Sequence, residues 1–494
     1  MSHITLHHSR LSVLHALPSW SVSATVHFAV IVTLACLYVD QQQQRSQVFV
    51  SAKNLDGLQI IEDLLDQLPP IDVTQTVLTS DVVTSVNVTD NTFVEPTDNF
   101  TPEAAFDSPV DMEQGFAHEI APDGILKSIP GGGGGTLKDG RGNAGTRVTR
   151  YRSVGCTEAG EAAVAKALKW LGEHQLPDGG WSFDHRVAPN CQGKCSHGGE
   201  LKDCRTGATA LALLTFLGAG QTHKEGTYKR TVDAGLYFLV QQMKVNQAER
   251  RGDLAQGGGN MYAHGLAAIV LCEAYDLTHD KSLAAPAQFA LNHIVYAQDP
   301  IGGGWRYNPR QAGDTSVVGW QLMALKSGHL AYLNVPKETI AGTTKFLDSV
   351  QTESGAKYGY TTAGAGSATT AVGLLCRMYL GWKPDHPALE RGVEYLSQTG
   401  PSKTNMYYNY YASQVLRHLE GERWDKWNRE LSPFLVESQE KAGHEAGSWH
   451  FTGDHGSSTG GRLYCTAMAT MILEVYYRHL PIFGKSAAED DFKL

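Results

Sequence analysis

Gly302-Gly303-Gly304-Trp305-Arg306-Tyr307, followed by the apolar-periodic stretch from Asp314 to Lys326, constrains this chain more than any other feature. A tryptophan set on glycines, a polar loop and a helix with one apolar side form a unit that cannot bury its apolar face alone. It must stack on copies of itself, and looser copies lie on both sides. The spacing predicts helix pairs at 162–175 and 208–218, 232–242 and 261–277, 287–298 and 314–333, 341–351 and 369–380, 388–398 and 407–419, and 431–439 and 463–479. Each first helix ends near a glutamine, and most of the intervening loops carry glycine with Trp181, Trp305, Tyr358, Tyr360 or Trp449. Six helical hairpins at a period of roughly 40 to 65 residues predict an all-α array of stacked units. The cores of these helices lack proline, and Pro433 is expected in a first turn, where its missing N–H costs little.

Periodic sequence begins only near residue 151 of the 494, so one large domain is expected rather than several. A net charge of -10 without any Lys/Arg stripe interleaved with aromatics excludes a nucleic-acid surface. Residues 22–39 form an apolar run broken only by Ser23, Thr25, His27 and Thr33. A run of about 18 to 20 such residues spans a bilayer core as a helix. The stretch ahead of it is long, no small-x-small site follows before Asp40, and Thr33 is a poor first residue for lipid attachment at Cys36. These features predict an uncleaved signal-anchor, one transmembrane helix at 21–39, behind a cytoplasmic N-terminus at 1–20. Arg10 before the span and Asp40 after it place the remainder outside the cytoplasm. From 40 to 150 the composition turns acidic and then Gly-rich at Gly131 to Gly135, with too little apolar periodicity to offset its ordering entropy, so a disordered linker is expected. Residues 151–484 form the periodic domain and 485–494 a tail.

Gln175-Leu-Pro-Asp-Gly-Gly-Trp181, the stretch from Gln298 to Trp305 and the longer version from Gln439 to Trp449 resemble the glutamine-tryptophan repeats of the terpenoid cyclase and protein prenyltransferase superfamily. That resemblance implies a squalene cyclase-like α/α toroid of inner and outer helices. The physical sense is direct: a glutamine at a helix end reaches backbone groups of the next unit, glycine permits close approach, and tryptophan covers the junction.

The superfamily's catalytic signatures are absent. Squalene-hopene-type cyclases carry Asp-x-Asp-Asp ahead of Thr-Ala-Val-Val, and the matching stretch here is Gln311-Ala312-Gly313-Asp314-Thr315-Ser316-Val317-Val318. Gly313 stands where the resemblance implies the proton donor. Against the zinc-binding Asp-x-Cys of protein prenyltransferases, Asp314-Thr315-Ser316 offers a hydroxyl where the metal wants a thiolate. An acidic run suited to a metal-dependent terpene synthase occurs only in the tail, at Glu489-Asp490-Asp491, and Ala159 in Gly155-Cys156-Thr157-Glu158-Ala159 replaces the glutamine of the related thioester domains. No cofactor is expected.

Inner-helix starts in a toroid aim at its lumen. They supply Tyr262, Trp320, Tyr407, Tyr408, Tyr410, Tyr411 and Tyr464 as candidate lining residues, with Asp314, His264, Asp454, His455 and Arg462 as candidate acid/base groups. Such a wall suits a ligand with both apolar faces and hydroxyls. Cys191-x-x-x-Cys195, with Cys204 and His197 nearby, is open to three readings: a Cys191–Cys195 disulfide, a metal site drawing on Cys191, Cys195, Cys204 and His197, or free thiols. Together these features predict a toroid, tethered to the membrane by one helix, that binds an amphipathic ligand or a protein partner. The alternative is an enzyme acting on an isoprenoid, or on a polysaccharide in the manner of the toroid-shaped lyases. Protease added to intact spheroplasts is expected to remove the domain beyond Asp40, and protection of that domain would contradict the topology.

Overall fold

The computed structural model describes residue 141 and residues 144–478. The apolar run at 21–39, almost all of the linker and the tail lie outside the described residues. No helix among the described residues is long and apolar enough to cross a membrane. The described chain forms fourteen helices: α1 (Ala144–Tyr151), α2 (Glu158–Glu173), α3 (Arg205–Gly218), α4 (Lys229–Gln242), α5 (Met261–Thr278), α6 (Lys281–Ala297), α7 (Thr315–Leu330), α8 (Lys337–Val350), α9 (Ser367–Tyr379), α10 (Pro387–Thr399), α11 (Met406–Leu419), α12 (Gly421–Ser438), α13 (Ser457–Leu473) and α14 (Val475–Arg478). Two antiparallel ribbons sit in the loops, β1 (Lys244–Asn246) with β2 (Arg251–Asp253) and β3 (Gln351–Thr352) with β4 (Lys357–Tyr358).

Burial sorts the helices into two layers. In α3 every residue from Thr206 to Gly218 is buried, as befits a helix surrounded by others. In α8 burial follows a stripe of Ile340, Thr343, Phe346, Leu347 and Val350, the pattern of a helix with one face in water. The inner helices pack in the sequence α3–α5–α7–α9–α11–α13, and α13 then packs against α3. The array is therefore a closed ring, an α/α toroid, with α2, α4, α6, α8, α10 and α12 outside it. Side-chain caps start the helices at Thr157, Asn260, Asp280, Asp314 and Asn405, each oxygen accepting from a first-turn N–H.

The glutamine-tryptophan loops do what their sequence predicts. The Gln175 side-chain amide donates to the carbonyls of Gly179 (2.7 Å) and of Thr231 in α4 (2.9 Å). Gln298 donates likewise to Gly303 and to Thr339 in α8, both at 2.8 Å. Gln439 donates to Gly447 (2.9 Å) and, across the closure of the ring, to Ala163 in α2 (2.8 Å). The indole N–H of Trp181, Trp305 and Trp449 donates in each case, at 2.7 Å, to a carbonyl near the end of the preceding outer helix, that of Leu171, Ile294 or Leu435. Glycine is required beside them: Gly179 and Gly303 have φ of +86° and +79°, and an added Cβ would lie 2.3 and 2.1 Å from a carbonyl oxygen of the next outer helix. In the fourth unit Tyr358 takes the tryptophan's place. Its N–H donates to Thr370 Oγ1 (3.1 Å), as that of Trp181 does to Thr209 and that of Trp449 to Thr466.

Three sequence expectations change. Helix α12 starts at Gly421, so Pro433 lies in its interior rather than in a first turn. Polar residues dilute its early period, but Trp424, Trp427, Leu431 and Leu435 still mark a single buried face. Helix α6 begins at Lys281 and likewise contains Pro286. Finally, Arg141 and α1 belong to the packed domain rather than to the linker, since Arg141 is buried and donates to the carbonyls of Leu217 and Arg478, both at 2.8 Å.

Trp305→Phe, which removes the indole hydrogen bond and part of the buried ring, is expected to cost about 2 to 3 kcal/mol. Trp305→Ala should cost about 3 to 5 kcal/mol through the cavity it leaves. Denaturant midpoints at constant m-value measure both.

Candidate functional site

The N-terminal ends of α5, α7 and α11 meet at one end of the ring and form its mouth. Asp314 caps α7: Oδ1 accepts from the Val317 N–H (2.9 Å) and from the Ser316 hydroxyl (2.6 Å). The Ser316 hydroxyl also meets that of Tyr262 on α5 (2.5 Å), and the Tyr407 hydroxyl on α11 donates to the Ser316 carbonyl (2.9 Å). Oδ2 of Asp314 has no hydrogen-bond partner although the residue is completely buried, and Arg306 Nε, 3.7 Å away, is equally unpartnered. The Arg306 guanidinium lies over the rings of Tyr307 and Tyr360, whose hydroxyls meet at 2.7 Å. Tyr307 and Tyr360 are more than a third exposed, so this polar chain reaches solvent. Burial pushes the phenols of Tyr262, Tyr407 and Tyr464 well above their ordinary range, which keeps them protonated donors at neutral pH.

Deeper in the ring, aromatic side chains meet across the lumen. Trp320 on α7 stacks on Tyr410 of α11 (5.3 Å) and meets Tyr411 edge-on (5.4 Å), although α9 lies between those helices in the ring. All three are buried, so the ring is filled at this level instead of enclosing a deep cavity. Tyr408 does not face the lumen; its ring packs edge-on against Trp427 of the outer helix α12 (5.7 Å). At the far end, where the inner helices finish, Arg478 pairs with Glu273 (3.1 Å) and Glu474 (3.6 Å), and Arg141 pairs with Glu273 (3.3 Å). Arg141 and Arg478 also donate to the carbonyls of Leu217 and Leu214, so cations sit at helix C-termini as the macrodipole favours.

The remaining acid/base candidates do not join Asp314. His264 is fully buried, accepting from the Leu254 N–H at Nδ1 (3.1 Å) and donating through Nε2 to the Ala290 carbonyl (3.0 Å). Burial, reinforced by His293, pushes its pKa down to about 3, so it is a neutral core imidazole. Asp454 spends both oxygens on backbone N–H groups, those of Met406 (2.7 Å) and Gly456 (2.8 Å), and thereby ties one loop to the start of α11. His455 beside it is exposed and lies edge-on to Tyr407 at 6.2 Å. Arg462 is buried away from the mouth and holds Ser196 Oγ (3.2 Å), Glu445 (2.8 Å) and Ser448 Oγ (3.0 Å). Cys191 and Cys195 are not bonded to each other, and the imidazoles that meet them are those of His174 and His444. Cys204 precedes α3, and His197 stacks on His450 at 3.8 Å, so neither joins that group.

Sequence reasoning missed Arg306, Tyr307, Ser316 and Tyr360 as parts of the mouth. A signal was present: an aromatic recurs two residues after each repeat aromatic, at Phe183, Tyr307, Tyr360 and Phe451. In extended chain that spacing returns to the same side.

The sequence matches no protein-family model and no curated protein. Among solved structures, the chain is similar to type II terpene cyclase MstE from Scytonema in complex with geranylgeranyl dihydroxybenzoate, at 13% identity and a TM-score of 0.43, covering 65% of this chain and 97% of that one. It is also similar to an inactive variant of the α-1,6-mannanase GH76A of a Salegentibacter species in complex with α-1,6-mannotriose, at 9% identity and a TM-score of 0.44, covering 65% and 99%. The toroid assignment rests on the closed ring of helices itself.

Asp314→Asn keeps the cap and is expected to cost about 1 kcal/mol or less. Asp314→Ala removes the cap as well as the carboxylate that faces Arg306 and should cost about 2 to 4 kcal/mol. Equal losses from the two variants, measured by denaturant unfolding, would show that the cap contributes nothing and that the charge facing Arg306 is what matters.

Proposed function

We propose that this protein is a membrane-tethered, non-catalytic binding toroid that takes an amphipathic, hydroxyl-bearing ligand at the mouth of its ring. The observation that carries the reading is the fully buried Asp314 Oδ2, left without a hydrogen-bond partner at the inner end of a chain of tyrosine hydroxyls that reaches solvent. Buried carboxylate oxygens are ordinarily hydrogen-bonded, and one that has only the Arg306 charge at 3.7 Å beside it, next to hydroxyl donors and half-exposed rings, suits a ligand's hydroxyl or amide. The Tyr262, Tyr307 and Tyr360 rings supply apolar faces, and their hydroxyls supply polar handles. The ligand rests on the aromatic layer of Trp320, Tyr410 and Tyr411 and does not pass below it.

Protonation chemistry of the cyclase kind has no room here. A Cβ at Gly313 would lie 2.7 Å from Gly304 Cα and 2.8 Å from the Phe346 ring, so the glycine-rich tryptophan loop itself excludes a carboxylic acid at that position. Asp454, the other carboxylate among the acid/base candidates, spends both oxygens on backbone N–H groups. Anchoring by the apolar run at 21–39, with the toroid outside the cytoplasm, belongs to the same proposal and would present the mouth to extracytoplasmic ligands.

The test is native mass spectrometry of the detergent-solubilised full-length protein, with a parallel incubation with squalene. A small bound amphiphile is expected in the wild type, reduced at least about tenfold in Tyr262→Phe and Tyr407→Phe, with no cyclised squalene from any form. Loss of one hydrogen bond to a buried polar group accounts for a change of that size. Equal adducts in wild type and variants, or squalene turnover that Asp314→Asn abolishes, would overturn the proposal.

A further inference from the structure

The loop between α2 and α3 carries Cys191 and Cys195, and the loop between α12 and α13 carries His444. These loops belong to the first and sixth hairpins, which meet only because the ring closes. With His174, the residue that ends α2, they bring two thiols and two imidazoles to one point, where the four candidate donor atoms all lie within 4.8 Å of one another. We propose that Cys191, Cys195, His174 and His444 bind one zinc ion that staples the toroid shut across this seam.

The geometry fits a tetrahedron. Zinc–sulfur and zinc–nitrogen bonds of about 2.3 and 2.0 to 2.1 Å place sulfur and nitrogen ligands roughly 3.5 Å apart. His174 Nε2 lies 3.4 Å from Cys195 Sγ, and His444 Nδ1 lies 3.2 Å from the same sulfur. The His174 tautomer is set as a metal ligand needs: Nδ1 donates to the Trp170 carbonyl (2.7 Å), so Nε2 turns its lone pair toward the sulfurs. The Trp170 ring stacks on that imidazole at 4.0 Å and holds its plane.

A second layer holds the two loops in register. Glu445, next to His444, accepts from the Ser196 N–H (2.6 Å) and hydroxyl (2.7 Å), next to Cys195. Arg462 grips both from behind, pairing with Glu445 and donating to Ser196. His185, whose two ring nitrogens are buried without partners, packs edge-on against His174 at 5.4 Å and closes the remaining side. The His174, Cys191 and Cys195 side chains are buried, so four protein donors fill the shell and leave no open position, as in a structural rather than a catalytic site. Two thiolates with two imidazoles select zinc over harder cations, and binding releases the two thiol protons.

Among the described residues, a second group of metal-binding side chains makes the contrast. Asp253, His264 and His293 also approach one another, but the Leu254 N–H and the Ala290 carbonyl already occupy both nitrogens of His264. His264 therefore has no lone pair left for a cation, and Asp253 and His293 alone would make an incomplete ligand set.

The proposal does not depend on what the mouth binds. Full-length protein purified in detergent, without a polyhistidine tag or chelator, is expected to contain about one zinc per chain by elemental analysis. Cys191→Ser and His444→Ala should each lower the zinc content at least about tenfold and lower Tm by on the order of 10 °C, whereas Cys204→Ser keeps the metal. Should the variants fail to fold, cobalt offered to chelator-stripped wild type is expected to give the visible bands of tetrahedral Co(II) with thiolate charge transfer. Wild type that neither contains nor takes up zinc, cobalt spectra without thiolate bands, or a Cys191–Cys195 disulfide in the purified protein would each overturn it.

Discussion

Ring closure is the constraint on which the rest of this structure depends. Each hairpin leaves the outer face of its neighbour to be covered, and in an open array the end units would expose apolar surface and need caps. Here α13 packs on α3 and α12 on α2, so the first unit covers the last. The bond from Gln439 to Ala163 is the same bond that Gln175 and Gln298 make to the units after them, only directed backwards over 276 residues of chain. A local rule repeated around the ring thus produces the global shape, and an error in any one junction is an error in closure.

Closure also explains where charge is buried. The inner helices point their N-termini to one end and their C-termini to the other, so partial charges of one sign accumulate at each. At the C-terminal end Arg141 and Arg478 fill the ring's axis, donating to helix-end carbonyls and pairing with Glu273. Burial pushes the Glu474 carboxyl well above the usual range, against the pull of Arg478. Removing one member of such a set is costly because it strands the others, so the network acts more as a specifier of closure than as a source of net stability. At the opposite end Asp314 supplies the complementary negative charge, and there the chain reaches solvent.

Much of the fold was legible in the sequence because its information is periodic. Six helix pairs, the glutamine bonds and the indole contacts all follow from spacing and from the small set of groups that can satisfy a helix end. What escaped was aperiodic. The start of α12 hid behind charged residues, although Trp424 and Trp427 held the period. Pro286 and Pro433 stand inside helices against the usual expectation, a case of packing overriding local preference. Of the mouth, Asp314, Tyr262 and Tyr407 were legible as residues of inner-helix starts. Tyr408, one residue on from Tyr407, points outward, because successive helix positions are about 100° apart and only a register known in advance separates them. The cysteine pair was visible, but its imidazoles were not: His174 and His444 are 270 residues apart in the chain and become neighbours only when the ring closes.

That last point separates the two special regions of the molecule by physical role. The seam gathers buried groups drawn from the two ends of the fold, so anything that binds there acts on whether the ring exists. The mouth gathers groups from α5, α7 and α11 that already stand next to one another once it does, and it leaves one carboxylate oxygen and one guanidinium nitrogen without hydrogen-bond partners. Unsatisfied polar groups are not confined to the mouth: both ring nitrogens of His185 at the seam and both carboxylate oxygens of Glu474 at the far end also lack hydrogen-bond partners, and the packing of the closed ring offsets their cost. What distinguishes the mouth is that its orphan oxygen stands at the end of a chain of hydroxyls that reaches solvent, whereas the orphan atoms of His185 and Glu474 are enclosed.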